Sequence, residues 1–115
     1  MTDPDGAGPE AEAEHAVIAR YRLAEDGFGT QHQRAAVRRV EALLIEAIGQ
    51  ADVGEFDGHE FGGGEIVLYA YGPDADALFA VMAPVLHALP FRPAHIVLRY
   101  GSASHPTATE QRFDV

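Results

Sequence analysis

Residues 62–72, GGGEIVLYAYG, hold the run whose reading decides the fold. After Glu65, every residue to Tyr71 is apolar or aromatic. Seven residues are too few for a buried helix, and the β-branched and aromatic density suits a strand covered on both sides. Gly62, Gly63 and Gly64 supply a turn before it, and Pro73 excludes helix just behind it. Residues 65–71 therefore read as a central strand, β3, whose register is open because both faces are apolar. A central strand needs a neighbour on each side, and the rest of the chain must supply them.

Downstream, Asp74 in the PDAD turn is placed to cap a helix, α2, that carries Leu78, Phe79, Val81, Met82, Val85, Leu86 and Leu89. Pro84 falls inside it, where the missing N–H and the ring clash predict a kink or an early break. Pro90 and Pro93 bracket the exit, and HIVLRYG over 95–101 reads as strand β4. After the GSASHPTA loop, TEQRFDV alternates Gln111, Phe113 and Val115 against Glu110, Arg112 and Asp114, which allows a fifth strand, β5, folding back beside β4.

Upstream, DVGEFDGHEF over 52–61 is polar and has two glycines, as expected of an edge strand β2 with a bulge or of a short hairpin turned at Asp57-Gly58. Before it, Val37, Val40, Leu44, Ala47 and Ile48 recur at helical spacing. Thr30 and Gln33 match a capping box and Gly49 a C-terminal stop, which defines helix α1 over about 31–49. Residues 15–23 alternate, with Val17, Ala19, Tyr21 and Leu23 on one face and Ile18, Arg20 and Arg22 on the other, giving strand β1. Residues 1–14 have two prolines, two glycines, five acids and no large apolar side chain beyond Met1, so they read as a disordered acidic tail.

The order βαββαβ is the split βαβ arrangement, in which right-handed crossovers put both helices on one face of a sheet ordered 4-1-3-2. The chain resembles the ferredoxin-like α+β superfold and small bacterial proteins of that architecture, over residues 15 to 100, through element order and without a diagnostic motif. The expectation is one domain over 15–115, a four-stranded antiparallel sheet with an optional fifth strand. A fold of this kind carries no function with it.

With 115 residues, one domain of this kind is what the length allows, and 47% hydrophobic residues suffice for its core. Having no cysteine, the chain has no disulfide framework and no thiol chemistry. It contains no apolar run of membrane-spanning length, and MTDPDGAGPEAEAEH has neither part of a secretion signal, so the cytoplasm is expected. A formal net charge of -10 argues against nucleic acid or anionic lipid as partners. All eight cations are arginine, as GC-rich codons would produce. Between Arg39 and Arg92 lie nine acids (Glu41, Glu46, Asp52, Glu55, Asp57, Glu60, Glu65, Asp74 and Asp76) and no cation, whereas Arg20, Arg22 and Arg99 fall on strands.

If Val17, Ala19, Tyr21 and Leu23 face the helices, then Ile18, Arg20 and Arg22 face outward, as do His95, Val97 and Arg99 on β4 and Val67, Tyr69 and Tyr71 on β3. The candidate binding residues are therefore Arg20, Arg22, Tyr69, Tyr71, His95 and Arg99, with guanidinium groups near ring faces. The repulsion among these arginines could be relieved by Glu110 and Asp114 of β5, by a partner's carboxylate or by a small anion. RNA is rejected, because β1 has arginines where a stacking ring is needed. Asp57, His59 and Glu60 do not share one strand face, so no metal is expected, and no cofactor either. Gly62–Gly64 lacks the helix that a phosphate loop needs, Ser102, Ser104 and His105 have no triad, His87 beside apolar positions of α2 reads as a boundary residue and not a ligand, and His32 has no evident partner.

The leading expectation is a noncatalytic interaction or ligand-binding module, homodimeric through the open sheet face. A second is an acidic inhibitor of the immunity or antitoxin type, using Glu55, Asp57 and Glu60 against a basic protein. A third is a small dimeric α+β barrel enzyme with a substrate between sheet and helices and His95 or Tyr71 as acid or base.

Overall fold

The structure, a computed structural model, describes residues 14–23, 29–91, 94–101 and 109–114. Its elements run β1 (His15–Arg22), α1 (Gln31–Ala51), β2 (Glu55–Gly62), β3 (Glu65–Gly72), α2 (Ala75–Leu86), β4 (Ala94–Tyr100) and β5 (Thr109–Asp114). The strands form one antiparallel sheet ordered β2-β3-β1-β4-β5. This is the ferredoxin-like α+β arrangement with β3 and β1 central and a fifth strand added at the β4 edge. The acidic tail, apart from Glu14, and the loop holding Ser102, Ser104 and His105 lie outside the described residues.

One layer of apolar side chains joins sheet to helices. Val17, Ala19, Tyr21 and Leu23 of β1, Ile66, Leu68 and Ala70 of β3, and Ile96 and Leu98 of β4 are buried together with Val37, Val40, Leu44 and Ile48 of α1 and Leu78, Met82 and Leu86 of α2. The open register of β3 is thereby fixed. Buried side chains of this size each stabilise the fold by about 1.5–3 kcal/mol.

Both helix starts follow their capping chemistry. Thr30 Oγ1 accepts from Gln33 N at 3.0 Å, and Gln33 Oε1 accepts from Thr30 N at 2.9 Å. Asp74 Oδ1 accepts from Asp76 N and Ala77 N at 3.0 and 3.3 Å. The end of α1 departs from expectation, because the helix runs through Gly49 and stops at Asp52, which adopts the left-handed region at φ 56°. Aspartate tolerates that region, and Asp52 N–H returns to Gly49 O at 3.3 Å. α2 holds Pro84 in its last turn and ends early, at Leu86, short of Leu89.

β2 is one edge strand with a bulge, not a hairpin turned at Asp57-Gly58. Its pairing with β3 slips between Phe56 and Gly58, leaving Asp57 as the extra residue. The reversal falls at Gly63 and Gly64, whose φ values of 59° and 80° are those a tight two-residue hairpin turn requires. At the other end of this hairpin the backbone before β2 crosses the end of β3 closely. A Cβ on Gly54 would lie 2.2 Å from Tyr71 O, and one on Gly72 would lie 2.2 Å from Val53 O.

Candidate functional site

The sheet face away from the helices is set by strand register. One row across it runs Glu55, Tyr71, Ala16, Arg99, Glu110, and the next runs Gly58, Tyr69, Ile18, Val97, Arg112. The third runs Glu60, Val67, Arg20, His95, Asp114, and a short fourth joins Gly62, Glu65 and Arg22. All six candidate residues, Arg20, Arg22, Tyr69, Tyr71, His95 and Arg99, lie on this face. The cations do not land together, however. Arg99 faces Ala16 and Arg20 faces His95, so the two arginines are two rows apart, roughly 13 Å along the strands.

The centre of the face is apolar. Ala16 and Val67 are buried there, and Ile18, Val97, Tyr69 and Tyr71 are half-buried. Around them, Arg20, Arg22, Arg99 and Arg112 stand among Glu55, Glu60, Glu65, Glu110 and Asp114, with Asp57 at the β2 bulge, so four cations meet six acids on a chain of net charge -10. Most of the surplus acid therefore lies elsewhere.

Each arginine has a local acceptor. Arg20 Nη1 lies 3.3 Å from Glu65 Oε1, with the two side chains 41% and 35% exposed, a pair worth no more than about 1 kcal/mol. Arg22 Nη1 reaches Gly63 O at 3.5 Å, and Arg99 Nε donates to Gly101 O at 2.7 Å. Arg112 Nε pairs with Asp114 Oδ1 at 3.1 Å. Arg20 is thus neutralised from β3, by Glu65, rather than from β5. Strand alternation places Glu65 with Val67, Tyr69 and Tyr71, and that was the sequence signal for it.

A concavity of about 350 Å³ is lined by Arg20, Glu60, Phe61, Gly62, Glu65 and Val67, and two others flank the apolar centre. One, of about 240 Å³, is lined by Arg20, Arg22, Glu65, His95, Arg112 and Asp114 with Tyr21 and Ala94. Burial, followed by the charges of Arg112 and Arg20, lowers the pKa of His95 below the usual imidazole value. Both causes favour the neutral ring. The other, of about 310 Å³, is lined by Asp57, Gly58, His59, Glu60, Tyr69 and Tyr71. In it Tyr69 Oη donates to Glu60 Oε1 at 2.9 Å. That bond, with burial second, raises the Tyr69 pKa and keeps the phenol neutral.

His95 and Tyr71 both belong to the open face and not to the space between sheet and helices. His59, in contrast, is paired with Leu68 in register and turns to the helix side, where its ring contacts Glu41 of α1 and packs edge-on to Phe61. Among the described residues no three metal-ligating side chains converge. A second polar group, unmarked by any motif, gathers at the start of α2. Tyr100 Oη donates to Asp76 Oδ1 at 2.6 Å and lies 3.2 Å from Gln111 Oε1. His15 Nδ1 accepts from Ala75 N at 3.0 Å, and its ring stands edge-on to Tyr100. No described helix is long and apolar enough to cross a membrane.

No family model and no curated protein matches the chain. Among solved structures it is similar to Rv0793 from Mycobacterium tuberculosis, at 25% identity over 74% of this chain and 91% of that one, with a TM-score of 0.47. It is also similar to SnoaB, a cofactor-independent oxygenase from Streptomyces nogalater, at 15% identity over 90% and 91% of the two chains, with a TM-score of 0.41. A dimeric protein of unknown function and ferredoxin-like fold from Bacteroides fragilis is 12% identical over 90% of this chain and 98% of its own, with a TM-score of 0.44. The strand order and the helices gathered on one sheet face make this chain a ferredoxin-like α+β protein with an added edge strand.

Proposed function

We propose that this protein is a noncatalytic binding module that works as a homodimer, two copies meeting through their open sheet faces. The observation that carries the reading is the composition of that face, an apolar centre of Ala16, Ile18, Val67 and Val97 ringed by nearly balanced charge. A face that carried the chain's whole excess of acid would repel its own copy, whereas a balanced one does not. Burying the apolar centre supplies the driving force, and Tyr69 and Tyr71 add rigid area of the kind that anchors interfaces.

The test is light scattering on the purified chain. Wild type should give twice the chain mass, and both Ile18→Asp and the pair Tyr69→Ala with Arg20→Ala should give the chain mass once. A folded Ile18→Asp variant that keeps the wild-type mass rules out this interface.

A further inference from the structure

We propose that the concavity between β2 and β3 is a binding site for a small organic cation, an alkyl guanidinium or an alkylamine. The site is built by the bulge of β2. At Asp57 the strand gains a residue, and Gly58 then stands directly opposite Tyr69. The φ of 146° at Gly58 holds the strand in a bend that other residues rarely adopt, and a Cβ built there would meet no atom within 4 Å. The result is the space of about 310 Å³ lined by Asp57, Gly58, His59, Glu60, Tyr69 and Tyr71.

Its walls select a cation of this type. Tyr69 and Tyr71 are alternate residues of β3, roughly 7 Å apart along the strand, and both side chains border this one space, where an aromatic ring attracts a cation that reaches its face. Glu60 and Asp57 supply formal charge at the rim. The bond from Tyr69 Oη fixes one oxygen of Glu60 beside the ring, which leaves the other to accept from an N–H of the ligand. Aromatic walls exclude a hard metal ion, which needs several oxygen ligands, and the carboxylates exclude anions. The net charge of -10 draws cations toward the whole molecule.

The site is formed by residues of one chain, but it lies on the open face of the proposed dimer and shares Tyr69 and Tyr71 with that interface, so ligand and second copy compete for it. With four tyrosines and no tryptophan, the protein reports on Tyr69 and Tyr71 through its own tyrosine emission. Agmatine, which carries both a guanidinium and an ammonium group, is the probe. Emission should change saturably with agmatine and stay unchanged with equal concentrations of sodium chloride or sodium acetate. Glu60→Gln and Tyr71→Leu, each checked for an unaltered circular dichroism spectrum, should weaken binding about tenfold. Ile18→Asp, which disrupts the proposed dimer and uncovers the face, should bind agmatine at least as tightly as wild type. No saturable response up to ~10 mM agmatine in either wild type or Ile18→Asp overturns the proposal, as does unchanged affinity in both site variants. Loss of binding in Ile18→Asp would overturn the claim that one chain suffices, whatever the mass of the wild type proves to be.

Discussion

Gly72, at the end of β3, and Gly49, inside α1, meet very different surroundings. Replacing Gly72 by alanine puts a methyl group 2.2 Å from Val53 O, where backbone must move, and the expected cost is roughly 2 to 3 kcal/mol. Gly49 lies inside α1 with nothing within 4 Å of a built Cβ, so Gly49→Ala should stabilise by about 0.5 to 1 kcal/mol. Urea midpoints of the two variants should therefore move in opposite directions. Tyr100 offers a second test, in pH. Its hydrogen bond to Asp76, with burial second, pushes its pKa up to about 12 from 10.0. The folded chain then holds the phenol proton more tightly than the unfolded one. Its stabilising contribution is complete below pH 10 and lost as pH rises through about 12. In an ultraviolet titration of phenolate absorbance, Asp76→Asn should shift one tyrosine down toward pH 10.

Among the elements, α2 depends on its ends. It is short, it carries Pro84 in its last turn, and Tyr21 from β1 donates a buried hydrogen bond of 2.9 Å to the carbonyl of its last residue, Leu86. Tyr21→Phe keeps the ring in the core and removes that bond, so a loss of about 1 to 1.5 kcal/mol is expected, read by chemical denaturation. The helices were legible from sequence because each carries its own signals: a capping box at Thr30, a capping acid at Asp74 and apolar residues at helical spacing. Element ends were less so. Gly49 looked like a stop, yet nothing about a glycine forces a helix to end, and the αL residue turned out to be Asp52. The bulge in β2 was among the options a polar glycine-bearing strand leaves open. Choosing it over a hairpin required the partner strand, because register belongs to the pair and not to either sequence.

For the whole molecule, strand order followed from the sequence of elements, and the face of each strand followed from period-two alternation once one strand was anchored. The distribution of charge across the sheet did not. Which arginine meets which acid depends on register between strands distant in the chain, and so Arg99 could not be separated from Arg20, nor Glu65 joined to it, by reading along the sequence. Two exposed apolar residues, Leu43 and Ile45 on α1, lie on the helical layer rather than the open face. Near the sequence pI of about 4.8 the mutual repulsion of the molecules vanishes, and these side chains become a route to nonspecific association. Leu43→Glu with Ile45→Lys should raise solubility at pH 5, measured as protein left in the supernatant, without changing the mass in light scattering at pH 7.

The close crossing of Gly54 and Gly72 completes a ring. The β2–β3 ribbon is fastened at one end by the turn at Gly63-Gly64 and at the other by backbone touching backbone, with paired strands between. A ribbon open at one end frays from that end inward, whereas a closed one has no loose end from which to begin. The bulge and the tyrosines therefore sit beside the fastened Gly54-Gly72 end, on a part of the edge that would otherwise be among the first to loosen.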